Sequence, residues 1–154
     1  MKTTPYEVQY GEFTISTDPA KLDIDVIHDY LSNRSYWAGW RTKALNQRLI
    51  DACLCFGVYK GDEQVGFARV LTDYGILNYI ADVFVLEPYR GEGLGKALVR
   101  AIMEHPNLRD MPQWLLMTRD AHGLYSRFGF EPLAAPEMVM SIGFAAGASV
   151  QADD

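Results

Sequence analysis

Residues 89–98 read YRGEGLGKAL. Three glycines fall within five positions, at 91, 93 and 95, and the chain then turns apolar at helical spacing. Leu94, Ala97, Leu98, Ala101 and Ile102 stand at i, i+3, i+4, i+7 and i+8, one face of a helix. That helix ends before Pro106, which has no N–H to give and whose ring collides with a preceding turn. On the N-terminal side, DVFVL is an apolar run of strand type. The stretch is therefore strand, glycine loop and helix start. A helix start leaves backbone N–H groups unpaired and carries partial positive charge. Glycines let an anion approach those groups with no Cβ in the way, and Arg90 adds a cation at the edge. This arrangement suits a pyrophosphate.

Upstream of the loop the chain reads as an antiparallel meander: CLCFGVY, a KGDE turn, QVGFARVLT, a DYG turn, and ILNYIADVFVL. Before the meander, YGEFTISTD reads as a first strand ending at Asp18-Pro19. DIDVIHDYLSN follows as a helix with Asp23 as cap and Ile24, Ile27, His28 and Leu31 on one face. RSYWAGW interrupts with a glycine and three aromatics, and RTKALNQRLIDA resumes a helix with Leu45 and Leu49 on one side. Downstream, QWLLMT is a short strand buried on both faces, and AHGLYSRF is a short helix stopped by Gly129. GFEPL and EMVMSI are candidates to close the sheet. GFAAGASVQADD is small and polar and reads as a loose tail. The expectation is one α/β domain over 1–140, a mixed and largely antiparallel central sheet flanked by helices, with a tail over 141–154.

A net charge of −6 argues against a general nucleic-acid binder, which needs a basic face to displace counterions. No apolar run approaches the roughly 20 residues of a membrane span. The polar N-terminus lacks a signal-peptide core, so the expected location is cytoplasmic. Cys53 and Cys55, two apart in a strand, cannot easily bridge each other and read as buried free thiols. His28, His105 and His122 are scattered, and no Cys/His cluster has metal-ligand spacing.

Two familiar phosphate loops fail on this stretch. The Walker pattern needs Ser or Thr after the lysine, and Lys96 is followed by Ala97; the dinucleotide pattern G-x-G-x-x-G meets Lys96 or Leu98 where it needs glycine. Arg-x-x-Gly-x-Gly does fit, as Arg90, Gly93 and Gly95. It resembles the acetyl-CoA loop of the GNAT-type N-acetyltransferases. DVFVLEPYRGEGLGKALV is similar to the whole strand, loop and helix of that family. AHGLYSRFGF is similar to its later Tyr-x-x-x-Gly-Phe segment, with Tyr125, Gly129 and Phe130, and the element order matches from about Glu12 to Leu133. The resemblance implies the acyl-CoA N-acyltransferase fold and acetyl-CoA as cofactor. It implies that Arg90, Gly91, Glu92, Gly93, Leu94, Gly95 and Lys96 cradle the pyrophosphate. It further implies that the backbone of Val83, Phe84 and Val85 pairs with the pantetheine arm, and it leaves a homodimer open.

Acetyl transfer to an amine needs a held cofactor, a neutral amine, a donor for the oxyanion and a proton for the leaving thiolate. The strand N–H near Val85 is the candidate oxyanion donor. Tyr125 resembles the family's general acid; a phenol with a pKa near 10 keeps its proton at neutral pH. Asp82, a carboxylate in the apolar strand YIADVFV, is the candidate base; the alternative is a satisfied structural carboxylate. AD-V-F-V is similar to the ED-x-F-V of polyamine and diamine acetyltransferases, but the glutamate of that pattern is Ala81 here. Tyr79 stands where other members place a Glu or His base. His122, one turn before Tyr125, is a candidate substrate contact or base. Tyr36, Trp37 and Trp40 are candidates for an aromatic wall around a cationic acceptor, with a staple between two helices or a dimer contact as alternatives. The expected acceptor is a small-molecule amine; acetylation of a protein lysine or N-terminus, or a non-catalytic CoA-binding module, are the rivals.

Overall fold

The computed structural model describes residues 4–144 of the 154-residue chain. Six strands form one sheet in chain order: β1 (Glu7–Tyr10), β2 (Phe13–Ser16), β3 (Leu54–Lys60), β4 (Glu63–Thr72), β5 (Leu77–Val85) and β6 (Gln113–Leu116). Each neighbouring pair is antiparallel except β5–β6, which is parallel. The helices are α1 (Ile24–Asn33), α2 (Lys43–Asp51), α3 (Leu94–Glu104) and α4 (His122–Ser126). The mixed, largely antiparallel sheet flanked by helices is the expected fold class.

Each side of the sheet has its own core. On one side, Leu94, Leu98, Ala101 and Ile102 of α3 cover Phe13, Ile15, Phe56, Val58, Val70 and Ile80. The apolar stripe of the opening motif is thus what glues α3 to the sheet; each fully buried Leu or Ile contributes about 1.5–3 kcal/mol. On the other side, Ile27, Tyr30 and Leu31 of α1 and Ile50 of α2 meet Cys55, Phe67 and Phe84. Asp23 caps α1 by accepting from Asp25 and Val26 N–H, and Thr42 caps α2 by accepting from Leu45 N–H. The buried face of α2 carries Asn46 and Ile50, while Leu45 and Leu49 are only half-buried.

Three sequence expectations fail here. YGEFTISTD is not one strand: Gly11 takes φ +58 and folds the chain into the β1–β2 hairpin. GFEPL and EMVMSI form no strand. Pro132 and Pro136 lack the N–H a ladder requires, and the segment runs as coil with a single 3-10 turn at Pro136–Met138. Met138, Val139, Met140, Ile142 and Phe144 lie exposed along it. β6 is half-buried rather than enclosed on both faces. The tail from residue 145 onward lies outside the described residues.

A bulge in β5 sets up everything that follows. Phe67 stands opposite Phe84, but Arg69 stands opposite Ala81, so Asp82 and Val83 share the single position of Ala68. Asp82 takes φ +54, a left-handed conformation rare for a residue other than glycine. The extra residue reverses the strand's parity. Ile80 packs with α3, whereas beyond the bulge Phe84 packs with α1 and Val85 with α3.

Candidate active site

β5 and β6 run together only from Leu77 to Ile80, opposite Gln113 to Leu116. Past that point they part, and the second half of β5 keeps an edge with no partner strand among the described residues. Leu86 N–H is given to Val65 O on β4 at 2.8 Å. Backbone groups alternate sides along a strand, so the groups of Val85 turn to the open edge. There the Val85 carbonyl accepts from Arg90 Nε at 2.9 Å.

At the end of this edge a cavity of about 420 Å³ sits over the glycine loop, lined by Val85, Arg90, Gly91, Gly93, Leu94, Gly95 and Lys96 with Gly123, Leu124 and Arg127 of the α4 region. Gly91 and Gly93 take φ +87 and +82, and Gly93 is the residue that starts α3. No side chain caps that helix start, so its N–H groups are left for an anion. A Cβ on Gly93 would stand 2.5 Å from the Tyr10 hydroxyl, which braces the loop by donating to Glu92 O at 2.7 Å. Arg90 is braced as well, with Nη2 donating to Tyr30 Oη at 2.8 Å. Three cations, Arg90, Lys96 and Arg127, therefore ring a glycine-floored cavity.

A second cavity, about 460 Å³, opens along the same edge. Its lining includes Tyr36, Trp37, Trp40 and Arg41 from the loop between α1 and α2, Arg69 from β4, and Tyr79, Ala81, Asp82 and Val83 from β5. Thr118, Arg119 and Asp120 after β6, Tyr125 of α4, and Phe144 complete it. The two cavities adjoin, since Val83 and Val85 divide between them, as do Leu124 and Tyr125.

Tyr125 is buried, and its hydroxyl has no hydrogen-bond partner among the described residues. Burial, with a smaller push from Tyr36, raises its pKa to about 12. The phenol therefore keeps its proton through neutral pH. Phe130 packs edge-on against the ring at 5.9 Å between centroids, and Gly129 takes φ +94 to end the segment. Those contacts account for the spacing Tyr125, Gly129, Phe130.

Asp82 is bound differently from the expectation of a base. Oδ1 accepts from Trp37 Nε1 at 2.8 Å, and Oδ2 accepts from Arg41 Nη1 at 2.7 Å and Arg69 Nε at 2.8 Å. Burial alone would raise its pKa, but the charges of Arg69 and Arg41 and their hydrogen bonds outweigh that and hold it below the usual carboxylate range. A carboxylate so held is a poor proton acceptor near neutral pH.

The aromatic wall lines the second cavity, but two of its three rings already carry the protein's own cations. Arg119 lies over the Tyr36 ring at 3.8 Å and Arg41 over Trp40 at 5.9 Å. Tyr36 Oη also accepts from Arg119 N–H at 3.1 Å. Tyr79 lines this cavity. Glu92 and Phe84 line neither: Glu92 contributes its carbonyl to Tyr10, and Phe84 stacks on Tyr30 in the core at 4.0 Å. His122 is exposed and lines neither cavity. Residues missed from sequence are Gly123, Leu124 and Arg127 at the loop, and Arg41 and Arg69 in the second cavity. Arg69 had a visible signal, being a lone charge in the apolar strand QVGFARVLT, the same oddity that singled out Asp82.

These features define an acyltransferase fold with a glycine-floored, cation-ringed cavity and an adjoining cleft. A family model described as the acetyltransferase (GNAT) domain matches residues 51–132, and the chain belongs to the GNAT-type acetyltransferase family. A solved structure of a presumed GNAT-family acetyltransferase from Xanthomonas campestris is 45% identical, covers 90% of this chain and 97% of its own, and superposes with a TM-score of 0.84. A Gibberella zeae protein, FG08082, named as a presumed acetyltransferase, is 29% identical over 81% of this chain and 82% of its own length. A predicted acetyltransferase of Clostridium acetobutylicum, solved with acetyl-CoA, shares the fold at 11% identity, with 79% of this chain and 90% of that one covered and a TM-score of 0.59. No helix among the described residues is long and apolar enough to cross a membrane.

Proposed function

We propose that the chain moves the acetyl group of acetyl-CoA to a primary amine of a small molecule, by direct attack while both substrates are bound. The supporting observation is the continuity of the open β5 edge, which leads from the glycine-loop cavity directly to the cleft that holds Tyr125. The residues present fit the cofactor. Left-handed glycines at 91 and 93 expose an uncapped helix start, and Arg90, Lys96 and Arg127 supply charge for a pyrophosphate. The free edge past the bulge offers strand-like hydrogen bonding to an extended pantetheine arm. The holo structure of the Clostridium protein shows that this fold accommodates acetyl-CoA.

Acetyl-CoA supplies an activated carbonyl whose leaving group is a thiolate. Tyr125, held protonated at the boundary of the two cavities, donates the proton that thiolate needs. The backbone N–H of Val85, on the open edge, is the donor for developing negative charge on the carbonyl oxygen. Asp82 positions the cleft wall by fixing Trp37, Arg41 and Arg69 in place. With both of its oxygens taken by these three donors, Asp82 does not stand ready as base. The reaction then draws on the fraction of acceptor that is already neutral; the proton its nitrogen sheds on forming the amide passes to water, from which the Tyr125 phenol is restored, and the rate rises with pH through the acceptor's own pKa.

Free-thiol release from acetyl-CoA, measured across small amines and lysine-containing peptides, tests this reading. Release that depends on small amines is the expected result. Release with peptides alone would move the assignment to protein acetylation. Acetyl-CoA binding with no turnover on any amine would leave a CoA-binding module.

A further inference from the structure

The acceptor cleft has a charge imbalance. Arg41 and Arg69 share the single carboxylate of Asp82, and both reach the same oxygen, Oδ2. Two guanidiniums against one carboxylate leave one positive charge over. Among the described residues Arg119 pairs only with Asp120, so that part of the cleft carries three arginines against two acids. The side chains of Arg41 and Arg69 are only 12% and 9% exposed. An uncompensated charge held that far from water is costly unless something pairs with it.

Donors for such a partner are in place. Each guanidinium has five N–H groups in a planar fork. Arg41 spends one on Asp82; Arg69 spends Nε on Asp82 and turns Nη1 toward Cys53 Sγ at 3.5 Å. Arg41 Nε and Nη2 and Arg69 Nη2 have no hydrogen-bond partner among the described residues, and both arginines line the cleft. Asp82 fixes the pair from behind, so little side-chain freedom remains to be lost on binding. The same charges disfavour a second cation, since the Tyr36 and Trp40 faces that would receive one already carry Arg119 and Arg41.

We propose that the acceptor is an amine that also carries a carboxylate, an amino acid or close derivative, and that Arg41, backed by Arg69, binds that carboxylate. The inference rests on the transferase reading for its amine, but its anion-binding half stands on the cleft alone. A planar carboxylate matches the fork geometry of arginine. Diamines, polyamines and internal peptide lysines lack the group that would balance the cleft.

The test compares acceptors differing only at the carboxylate: a panel of amino acids, the corresponding amino-acid amides, and diaminobutane, each assayed by thiol release. The free acids are expected to exceed their amides by about tenfold or more in kcat/KM. In Arg41→Gln that ratio falls toward one, chiefly through a higher KM for the free acid. Amides or diaminobutane reacting as well as the acids in the wild-type protein, or a ratio that survives in folded Arg41→Gln, would overturn the proposal. Thermal unfolding of the wild-type protein with N-acetylated amino acids against their amides covers the case in which the variant does not fold. Stabilisation by the acids alone is expected, and equal or absent stabilisation overturns it. Acetyl-CoA serves as a parallel titrant: no stabilisation by it, with stabilisation by the acids, would remove the transferase reading and leave the anion site standing.

Discussion

The glycine-loop cavity and the neighbouring cleft lie on the same open edge, but they are built in opposite ways. The loop is contiguous. Residues 90–96 supply most of its floor, the glycines set its backbone, and α3 anchors it to the core by its apolar stripe. The cleft is assembled from Tyr36, Trp37, Trp40 and Arg41, Arg69, Tyr79 to Val83, Leu116 to Ala121, Tyr125 and Phe144, which meet only in the folded chain. A contiguous site is written in local conformation and is robust to distant change. An assembled site depends on one buried node, and here that node is Asp82, whose three partners lie 45, 41 and 13 residues away.

The sharpest break comes where the two regions meet. Tyr125→Phe keeps the ring and its packing on Phe130 but removes the proton donor. Steady-state assays should show kcat falling by about 10²–10⁴-fold with KM little changed. An unchanged kcat would remove Tyr125 from the chemistry. Asp82→Asn strikes the node: it leaves two guanidiniums facing a neutral amide, and denaturant titration should show a loss of about 3–5 kcal/mol. The pH dependence of unfolding reports the same node without a mutation. The folded-state pKa of Asp82 lies below its unfolded value, so its stabilisation is fully present above about pH 4 and is lost as pH falls through the lower folded pKa. The acid-side loss of stability should shrink in Asp82→Asn.

The loop should respond more mildly. Gly93→Ala forces a side chain into the left-handed region at φ +82, a cost of roughly 1–2 kcal/mol. The Tyr10 hydroxyl that the new Cβ would meet sits on an exposed side chain and can swing aside. Calorimetric titration should show acetyl-CoA affinity weakened by about tenfold, with the fold intact. His122→Ala should have the smallest effect. His122 is exposed and lines neither cavity, so kcat/KM should stay within about twofold; a large loss would return His122 to the site.

The same contrast explains what was legible in the sequence. The loop was legible because its chemistry is local: glycine spacing, an arginine and an amphipathic run point to one structure, and Tyr125 with Gly129 and Phe130 adds a second short pattern. The meander, the caps at Asp23 and the fold class were also readable, since strand alternation and capping are local too. The cleft was only half legible. Asp82 stood out as a charge in an apolar strand, and it does line the cleft, but its partners were not visible. Arg41 and Arg69 are distant in sequence, and the bulge that turns Asp82 toward them is a feature of strand pairing rather than of YIADVFV itself. Without those partners the carboxylate reads as a base; with them it is a clamp. GFEPL and EMVMSI misled in the other direction, because strand-like composition is not enough where prolines at 132 and 136 interrupt the ladder.

The account turns on the glycine loop holding coenzyme A, and thermal unfolding with acetyl-CoA titrated in, beside ATP and NAD, tests that most directly. Ligand at about 100 times its dissociation constant stabilises a fold by roughly 2.7 kcal/mol. The predicted result is a saturable rise in Tm with acetyl-CoA that ATP and NAD do not reproduce and that Gly93→Ala shifts to higher concentration. A well-folded protein whose Tm does not move with acetyl-CoA would contradict the account and leave residues 89–98 as a strand–helix turn without a ligand.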